Sequence, residues 1–158
     1  MRHTISLLVE NKPGVLVRIA GLFSARGYNI SSLAVSETHD PTISYMTMVV
    51  DAENERVLEQ IKKQLNKLID VITVTDFTKK EHFERELILV KINCPEEEKS
   101  KLEKILDKYT AKLIKHKSDI AIVEFVGEQT QIKNMLDELK EFKIIELVRS
   151  GRIAMALS

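Results

Sequence analysis

The sequence is poor in the residues that carry disulfide, metal and stacking chemistry. Its 158 residues include one cysteine, four histidines and no tryptophan, and aromatic residues make up 5% of the chain. The single cysteine, Cys94, excludes an intramolecular disulfide and is typical of a protein in a reducing compartment. The histidines show no i, i+4 pair and no cysteine partner, so we expect no metal site. The scarcity of aromatic residues also argues against a sheet that stacks RNA bases.

An excess of charge of either sign is also missing. Lysine and arginine total 24, aspartate and glutamate total 24, and the formal net charge is zero. Proteins that bind nucleic acid or anionic membranes in a general way need surplus cations, so we expect neither partner. The apolar run before Glu10 is too short for a signal peptide or a membrane span. Together with the lone cysteine, this predicts a cytoplasmic protein.

Sequence motifs of known catalytic sites are absent as well. The chain contains no G-x-S-x-G, no phosphate-binding P-loop and no G-x-G-x-x-G. Cys94 ends a predicted strand, where a structural thiol is the expected role. The acidic run at 96–98 fits the first turn of a helix, where each acidic group stabilises the helix dipole by about 0.3–1 kcal/mol. We therefore expect a binding or regulatory module with no catalytic residues and no cofactor of its own.

An acylphosphatase-like hydrolase is the alternative from a different functional class. Such an enzyme needs a loop after the first strand that cradles an anion, with an arginine close by. The loop of this chain offers Lys12 and Gly14 but no tight basic cluster. The regulatory interpretation is therefore favoured over the hydrolase.

The chain does contain the same order of elements twice. In the first half, strand-like and helical patterns predict the order β-α-β-β-α-β, with Asn54 as a possible cap of the second helix. Pro13 occupies the place of a first helical residue, because its φ is preset and it has no N–H to satisfy. Gly27 follows this helix as its stop. The predicted elements are a strand at 4–9, a helix from Pro13 to about residue 26, strands at 30–38 and 43–52, a helix around residues 58–68 and a strand at 70–78.

The second half repeats this pattern, with Pro95 at the position that corresponds to Pro13. A polar linker at 78–86 separates the two halves. The repeat indicates an α+β fold of two ferredoxin-like βαββαβ sandwiches in tandem, each an antiparallel sheet with two helices on one face. We expect the domains to span residues 1–78 and 79–158. The predicted elements of the second half are strands at 87–94, 111–117, 120–126 and from residue 143, a helix opened by Pro95 and a helix capped by Thr130.

The loop Asn11–Gly14 is the candidate ligand site. A helix N-terminus has unpaired N–H groups and a partial positive charge, which suit the carboxylate of a free amino acid. Gly14 lets a ligand approach the backbone closely, and an asparagine carbonyl can accept a hydrogen bond from an ammonium group. A capped turn without a ligand explains the same residues. In the repeat, Gly14 corresponds to Glu96 and Asn29 to Ala111, so we expect the second half to lack the site.

The segment Asn29–Thr38 suggests how two chains associate. The expected strand order 4-1-3-2 leaves this second strand at a sheet edge, yet it has no lysine, arginine or proline, and Glu37 is its only charge. Two such edges paired across a two-fold axis would form one eight-stranded sheet. Asn29 of one chain would then approach the Asn11–Gly14 loop of the other. A site shared in this way couples ligand binding to the geometry of the dimer.

Several stretches of the chain resemble a known family. Three stretches resemble an ACT domain, namely ENKPGVLVRIAGLFSARGYNISSL, DPTISYMTMVV and VLEQIKKQLNKLIDVITV. With ERELILVKI and KIIELVRSGRIAM included, nearly the whole chain resembles the small, regulatory subunit of acetolactate (acetohydroxyacid) synthase. The D/N-x-P-G-x-L loop is common to ACT domains in general, whereas GLFSARGYNI and QIKKQLNKL are more specific to this family.

The resemblance implies a function, partners and a set of site residues. Members of the family bind and activate a large catalytic subunit, which carries thiamine diphosphate, Mg²⁺ and usually FAD and starts the biosynthesis of valine, leucine and isoleucine. They form a homodimer through their ACT domains and confer feedback inhibition by valine. A stand-alone ACT-type amino-acid sensor that regulates another enzyme or a transcription factor is the alternative. The effector positions implied for this chain are Asn11, Gly14, Val15, Leu16, Asn29 and Ile30.

Overall fold

The computed structural model describes residues 1–158, which form two compact units. The first unit comprises Met1–Phe83 and the segment Arg152–Ser158, here called the strap, and the second comprises Glu84–Gly151. This division differs in two places from the predicted domains 1–78 and 79–158. A strand that begins at His82 replaces part of the expected linker, and the strap packs on the first unit because side chains of that unit hydrogen-bond its backbone.

The order of elements is the predicted repeat, followed by one short additional strand. None of the helices is both long enough and apolar enough to span a membrane. The elements are β1 (Arg2–Glu10), α1 (Val15–Ala25), β2 (Ile30–Glu37), β3 (Ile43–Asp51), α2 (Glu55–Asn66), β4 (Val71–Asp76), β5 (His82–Asn93), a 3₁₀ turn (Glu96–Glu98), α3 (Lys99–Tyr109), β6 (Lys112–Lys117), β7 (Ile120–Gly127), α4 (Gln129–Leu139), β8 (Lys143–Arg149) and β9 (Ile153–Ala156).

The first unit is a four-stranded antiparallel sheet with two helices on one face. Its strand order, β2-β3-β1-β4, confirms the prediction and places β2 at an edge. Alternate residues of β1 face the helices, so that Ile5 and Leu7 are fully buried while the residues between them face the other side of the sheet. The helices complete this core with apolar residues spaced by three or four positions, namely Val15, Ile19 and Phe23 of α1 and Leu58, Ile61 and Leu65 of α2.

The start of α1 differs from the prediction that Pro13 is its first residue. The helix begins at Val15, and Gly14 precedes it with φ +86°, in the left-handed region that favours glycine. A helix cannot continue backwards through such a residue, so Pro13 lies in a turn. Two other predictions for this unit are confirmed. Gly27 ends α1 with φ +69°, and Asn54 caps α2 by accepting a hydrogen bond from the N–H of Val57 at 3.1 Å.

The second unit repeats the sandwich with the strand order β6-β7-β5-β8. Pro95 is followed by one 3₁₀ turn before α3 begins, so the predicted helix starts later than expected. The prediction that Thr130 caps α4 is wrong. Glu128 is the cap, because its side chain and that of Gln131 form a reciprocal capping box. The core of this unit includes Ile88, Val90, Ile92, Leu102, Val123, Ile132, Met135 and Leu139.

The strap crosses the face of the first sheet that is opposite to the helices. The N–H of Arg152 donates to Ser32 Oγ on β2 at 3.0 Å. On β3, Tyr45 donates its hydroxyl to the carbonyl of Ala154 at 2.6 Å, and the N–H of Ala154 donates to Thr47 Oγ1 at 3.3 Å. Ala154 is 5% exposed and Thr47 is fully buried. Side-chain hydroxyls therefore attach the strap to two strands of the first unit.

Candidate functional site

Asn11 fastens the loop after β1 to the neighbouring hairpin. Its backbone N–H donates to the carbonyl of Thr42 at 2.8 Å, and its side-chain Nδ2 donates to the carbonyl of Pro41 at 2.9 Å. Both partners belong to the turn between β2 and β3. These bonds use the backbone N–H and one N–H of the side-chain amide, and they leave Oδ1 as an acceptor without a partner in this chain.

The helix start that follows this loop has unpaired N–H groups. The N–H of Val15 donates to the carbonyl of Lys12 at 3.3 Å and closes the turn around Gly14. The N–H groups of Gly14, Leu16 and Val17 have no acceptor in this chain, and no side chain caps the helix. Together with the positive end of the helix dipole, these donors can bind a carboxylate.

Val15 and Leu16 can contribute to this site in different ways. Val15 is 3% exposed because its side chain packs in the core, so only its backbone faces the loop. Leu16 is 43% exposed and offers an apolar side chain beside the unpaired N–H groups. The structure therefore brings Asn11, Gly14, Val15 and Leu16 together, with polar groups for a ligand's carboxylate and an apolar group for its side chain.

Arg18 is a cation beside the same helix start, and the sequence analysis did not identify it. Its Nη1 atom lies 2.9 Å from the position that a Cβ on Gly14 would take. Its Nε and Nη2 atoms each lie 2.7 Å from Oδ2 of Asp70. The sequence spacing could have indicated Arg18, because it lies four residues after Gly14 and residues four apart share one side of a helix. The hydrolase alternative requires an arginine near this loop, but Asp70 neutralises the charge of this one.

Asn29 and Ile30 lie at the start of β2, on the edge of the sheet. Asn29 is exposed, and its Nδ2 donates to Oδ2 of Asp51 at 3.2 Å. Ile30 is half-buried and packs against the core of the first unit. The same carboxylate oxygen of Asp51 accepts the hydroxyl of Ser31 at 3.0 Å. The hydrogen bonds from Asn29 and Ser31 hold the pKa of Asp51 below its ordinary value.

The two groups of candidate residues lie at opposite ends of the sheet within one chain. Asn11 binds Thr42, next to the Glu10–Ile43 pair, whereas Asn29 binds Asp51 at the other end of β3. The nine positions from Thr42 to Asp51 correspond to roughly 30 Å at about 3.3 Å per residue. An amino acid is far too small to contact both groups in a single chain.

The two edge strands in corresponding positions differ in how they are protected from further pairing. Strand β2 carries no cation, and its apolar residues Leu33 and Val35 are 37% and 41% exposed. Strand β6, the corresponding edge of the second unit, carries three lysines. Lysines on an edge oppose pairing with another chain. The sequence expectation of an unprotected edge therefore applies to β2 and not to its counterpart. The lysines of β6 are Lys112, Lys115 and Lys117.

Comparison with known proteins identifies the family. Residues 5–73 match the family model described as the AHAS small subunit-like ACT domain, and residues 85–158 match the model described as the small subunit of acetolactate synthase. A probable acetolactate synthase small subunit of Archaeoglobus fulgidus is 41% identical over 98% of this chain and 96% of the relative. The acetolactate synthase small subunit of Bacillus subtilis is 38% identical over 99% of this chain and 91% of the relative.

A solved structure extends this similarity to the fold. The crystal structure of the acetolactate synthase small subunit from Thermotoga maritima superimposes with a TM-score of 0.87 at 32% sequence identity. The alignment covers 100% of this chain and 98% of that one. Similarity in sequence and in fold therefore spans both units. This chain belongs to the family of acetolactate synthase small subunits.

Proposed function

We propose that this regulatory subunit activates the catalytic subunit and binds valine at a site shared by two copies of the chain. The bound valine then inhibits the catalytic subunit. The observation that carries the proposal is the separation of the two candidate groups. The unpaired N–H groups of Gly14, Leu16 and Val17 lie at one end of the sheet, and Asn29 lies at the other. Two chains paired at their β2 edges can supply both groups to one ligand.

Antiparallel pairing of two β2 strands across a two-fold axis supplies the required geometry. The start of one strand then faces the end of the other, because the axis reverses the strand direction. The end of β2 lies beside Ser44 and hence beside the turn that holds Asn11. Asn29 of one copy thus reaches the loop of its partner. The exposed Leu33 and Val35 give this contact its apolar part.

The ligand's three chemical groups each have a counterpart in this arrangement. The carboxylate binds the N–H groups of Gly14 and Leu16, and each such charge-assisted bond contributes roughly 1.5–3 kcal/mol. The ammonium group donates to the Oδ1 atoms of Asn11 and of Asn29 from the other copy. The aliphatic side chain lies against Leu16 of the same copy as Asn11 and against the half-buried Ile30 of the other copy. Valine, leucine and isoleucine differ by about one methylene, which is worth about 1–3 kcal/mol of discrimination.

The catalytic chemistry belongs to the partner in this proposal. The large subunit of acetolactate synthase holds the thiamine diphosphate, the Mg²⁺ and the FAD, and this chain contributes regulation alone. Both act in the cytoplasm, in the biosynthesis of the branched-chain amino acids. Because the effector bridges two copies, its binding changes the stability of the dimer, which is how a ligand can act on a partner at a distance.

Mixed dimers test the shared site directly. One copy carries Asn11→Ala and the other carries Asn29→Ala, each with a different affinity tag. In a shared-site dimer, both changes fall in the same site and the second site stays intact. Calorimetry with valine should therefore find about half of the normal number of sites, whereas each variant alone binds weakly at both. If the mixed dimer binds no better than the single variants, the two asparagines act within one chain and the proposal is wrong.

Two further measurements test the choice of effector and of partner. Calorimetry of the full chain with valine, leucine and isoleucine in parallel should give the lowest Kd for valine. The tagged chain should co-purify with the large thiamine diphosphate-dependent enzyme and make its activity sensitive to valine. Co-purification with a transcription factor or another enzyme instead would favour the stand-alone sensor.

A further inference from the structure

The side chain of Asn29 needs a fixed orientation to serve as an acceptor. Asn29 is exposed, and it directly precedes a strand whose pairing with β3 changes register between Ile30 and Ser32. An exposed asparagine can rotate its amide and present either the carbonyl or the NH₂ group. Only the carbonyl can accept a hydrogen bond from an ammonium group, so neither an amide that presents its NH₂ group nor a side chain turned away from the ligand contributes to binding.

Asp51 removes this ambiguity through its chemistry. An ionised carboxylate only accepts hydrogen bonds, so the group of Asn29 that faces it at 3.2 Å is the NH₂ group. The carbonyl Oδ1 of Asn29 is consequently the atom left available. The backbone adds to this connection, since the N–H of Asp51 donates to the carbonyl of Asn29 at 3.2 Å. Two hydrogen bonds therefore fix Asn29 relative to the end of β3.

The surroundings of Asp51 keep its carboxylate charged and in place. Ser31 donates its hydroxyl to Oδ2 at 3.0 Å, and the guanidinium Nε of Arg2 lies 3.7 Å from Oδ1. The hydrogen bonds from Asn29 and Ser31 lower the pKa of Asp51, so it remains an acceptor at neutral and mildly acidic pH. Asp51 itself lies on β3, which is a central strand of the sheet rather than an edge.

We infer that Asp51 is a positioning residue for the effector site, which holds Asn29 with its carbonyl directed at the ammonium group of the amino acid bound by the partner copy. The inference rests on the proposed function and adds a residue to it. Asp51 acts through Asn29 and does not itself touch the ligand. Its removal should therefore matter only while Asn29 is present.

A double-mutant cycle on valine binding tests this dependence. Calorimetry of the full-length chain compares Asn29→Ala, Asp51→Ala and the double variant. Each single change should raise the Kd for valine by about tenfold, the value expected for one lost hydrogen bond to a charged group. The double variant should show about the same tenfold increase, because Asp51 has nothing left to position. Multiplication of the two effects to about a hundredfold would overturn the inference.

Asp51→Asn repeats the cycle with almost no change in shape and tests the need for a group that only accepts. The amide of an asparagine can donate to the carbonyl of Asn29 as well as accept from its NH₂ group, so it no longer holds Asn29 in one orientation. Asp51→Asn should therefore weaken valine binding while Asn29 is present, and should change the Kd by less than threefold when Asn29 is replaced by alanine. Equal losses in both backgrounds would mean that the carboxylate attracts the ammonium group directly, and would overturn the inference. The asparagine variant also provides this test if Asp51→Ala fails to fold.

Ser31→Ala is the matched control. It removes the hydrogen bond that the Ser31 hydroxyl donates to the same carboxylate, and it leaves Asn29 in contact with Asp51. It should change the Kd for valine less than threefold, and a tenfold increase in Kd would overturn the special role of the Asn29 contact.

Failure of the proposed effector site can be told apart from failure of the positioning role of Asp51. If Asn29→Ala binds valine normally, the proposed effector site is wrong and this inference with it. If Asn29→Ala weakens binding and Asp51→Ala does not, only the positioning role is wrong.

Discussion

Gly14→Asp should make this subunit insensitive to valine, because it places a negative charge where we propose that the carboxylate of valine binds. The N–H groups of Gly14, Leu16 and Val17 have no acceptor in the chain, and a carboxylate on residue 14 would occupy the same region. Two like charges about 4 Å apart repel by about 1 kcal/mol in water and by about 4 kcal/mol at an effective dielectric constant of 20. Since 1.4 kcal/mol is tenfold, the Kd for valine should rise between about 5-fold and 1,000-fold.

Two features of the structure shift the expected value within this range. A Cβ on residue 14 would lie 2.9 Å from the Nη1 atom of Arg18. The end of that flexible side chain can move, and its charge reduces the repulsion. Residue 14 also has φ +86°, so any side chain there strains the backbone. We therefore expect an increase of about 30-fold to 100-fold from the charge itself.

Gly14→Asn is the matched control for this experiment. Asparagine has the size of aspartate and is strained equally by the left-handed backbone, but it carries no charge. Each variant is combined with the cognate catalytic subunit, and the valine inhibition curve is normalised to the activity of the same complex without valine. The midpoint should shift at least tenfold further for aspartate than for asparagine. Equal midpoints for the two variants would refute the placement of the ligand's carboxylate at this helix start.

Three other substitutions test the dimer edge and the stability of the first unit. Val35→Lys on β2 should convert the proposed dimer to a monomer in sedimentation equilibrium, while Ile114→Lys on β6 should not; the same state for both would contradict pairing through β2. Thr47→Val leaves the N–H of Ala154 without its acceptor in a buried position, so urea denaturation should show a loss of about 1–3 kcal/mol, and an unchanged midpoint would mean that this bond does not hold the strap. Asn54→Ala should lower the free energy of unfolding by about 1 kcal/mol, and a loss below 0.3 kcal/mol would contradict its role as the cap of α2.

The parts of this fold that depend on local patterns could be predicted from the sequence. The repeated order of strands and helices follows from apolar spacing, and it led to the observed strand order with β2 at an edge. Asn54 and Gly27 were identified because caps and stops have strong residue preferences. The start of α1 was misplaced by two residues, since proline at a first helical position and proline in a preceding turn have the same local signature.

The parts that depend on distant contacts could not be predicted. The bond between Arg152 and Ser32 joins residues 120 positions apart, and a serine that accepts a backbone N–H has no distinctive sequence pattern. The pairs formed by Arg18 with Asp70 and by Asn29 with Asp51 are hidden for the same reason. Residue chemistry pointed to the Asn11–Gly14 loop and to Asn29, and the resemblance to a family completed a set of six candidate residues. The structure was needed to show that four of them lie at one end of the sheet and two at the other.

The strap also has a consequence for the time at which the first unit can finish folding. Phe83 closes the continuous part of that unit, but the unit is complete only when residues 152–158 have been made. At about 5–20 residues per second, a ribosome needs on the order of 3 to 14 seconds to synthesise the intervening stretch. During this interval Thr47 and Ser32 lack their backbone partners, and the face of the first sheet opposite to the helices is not yet covered by the strap. The whole second unit is therefore synthesised before the first has acquired its final hydrogen bonds.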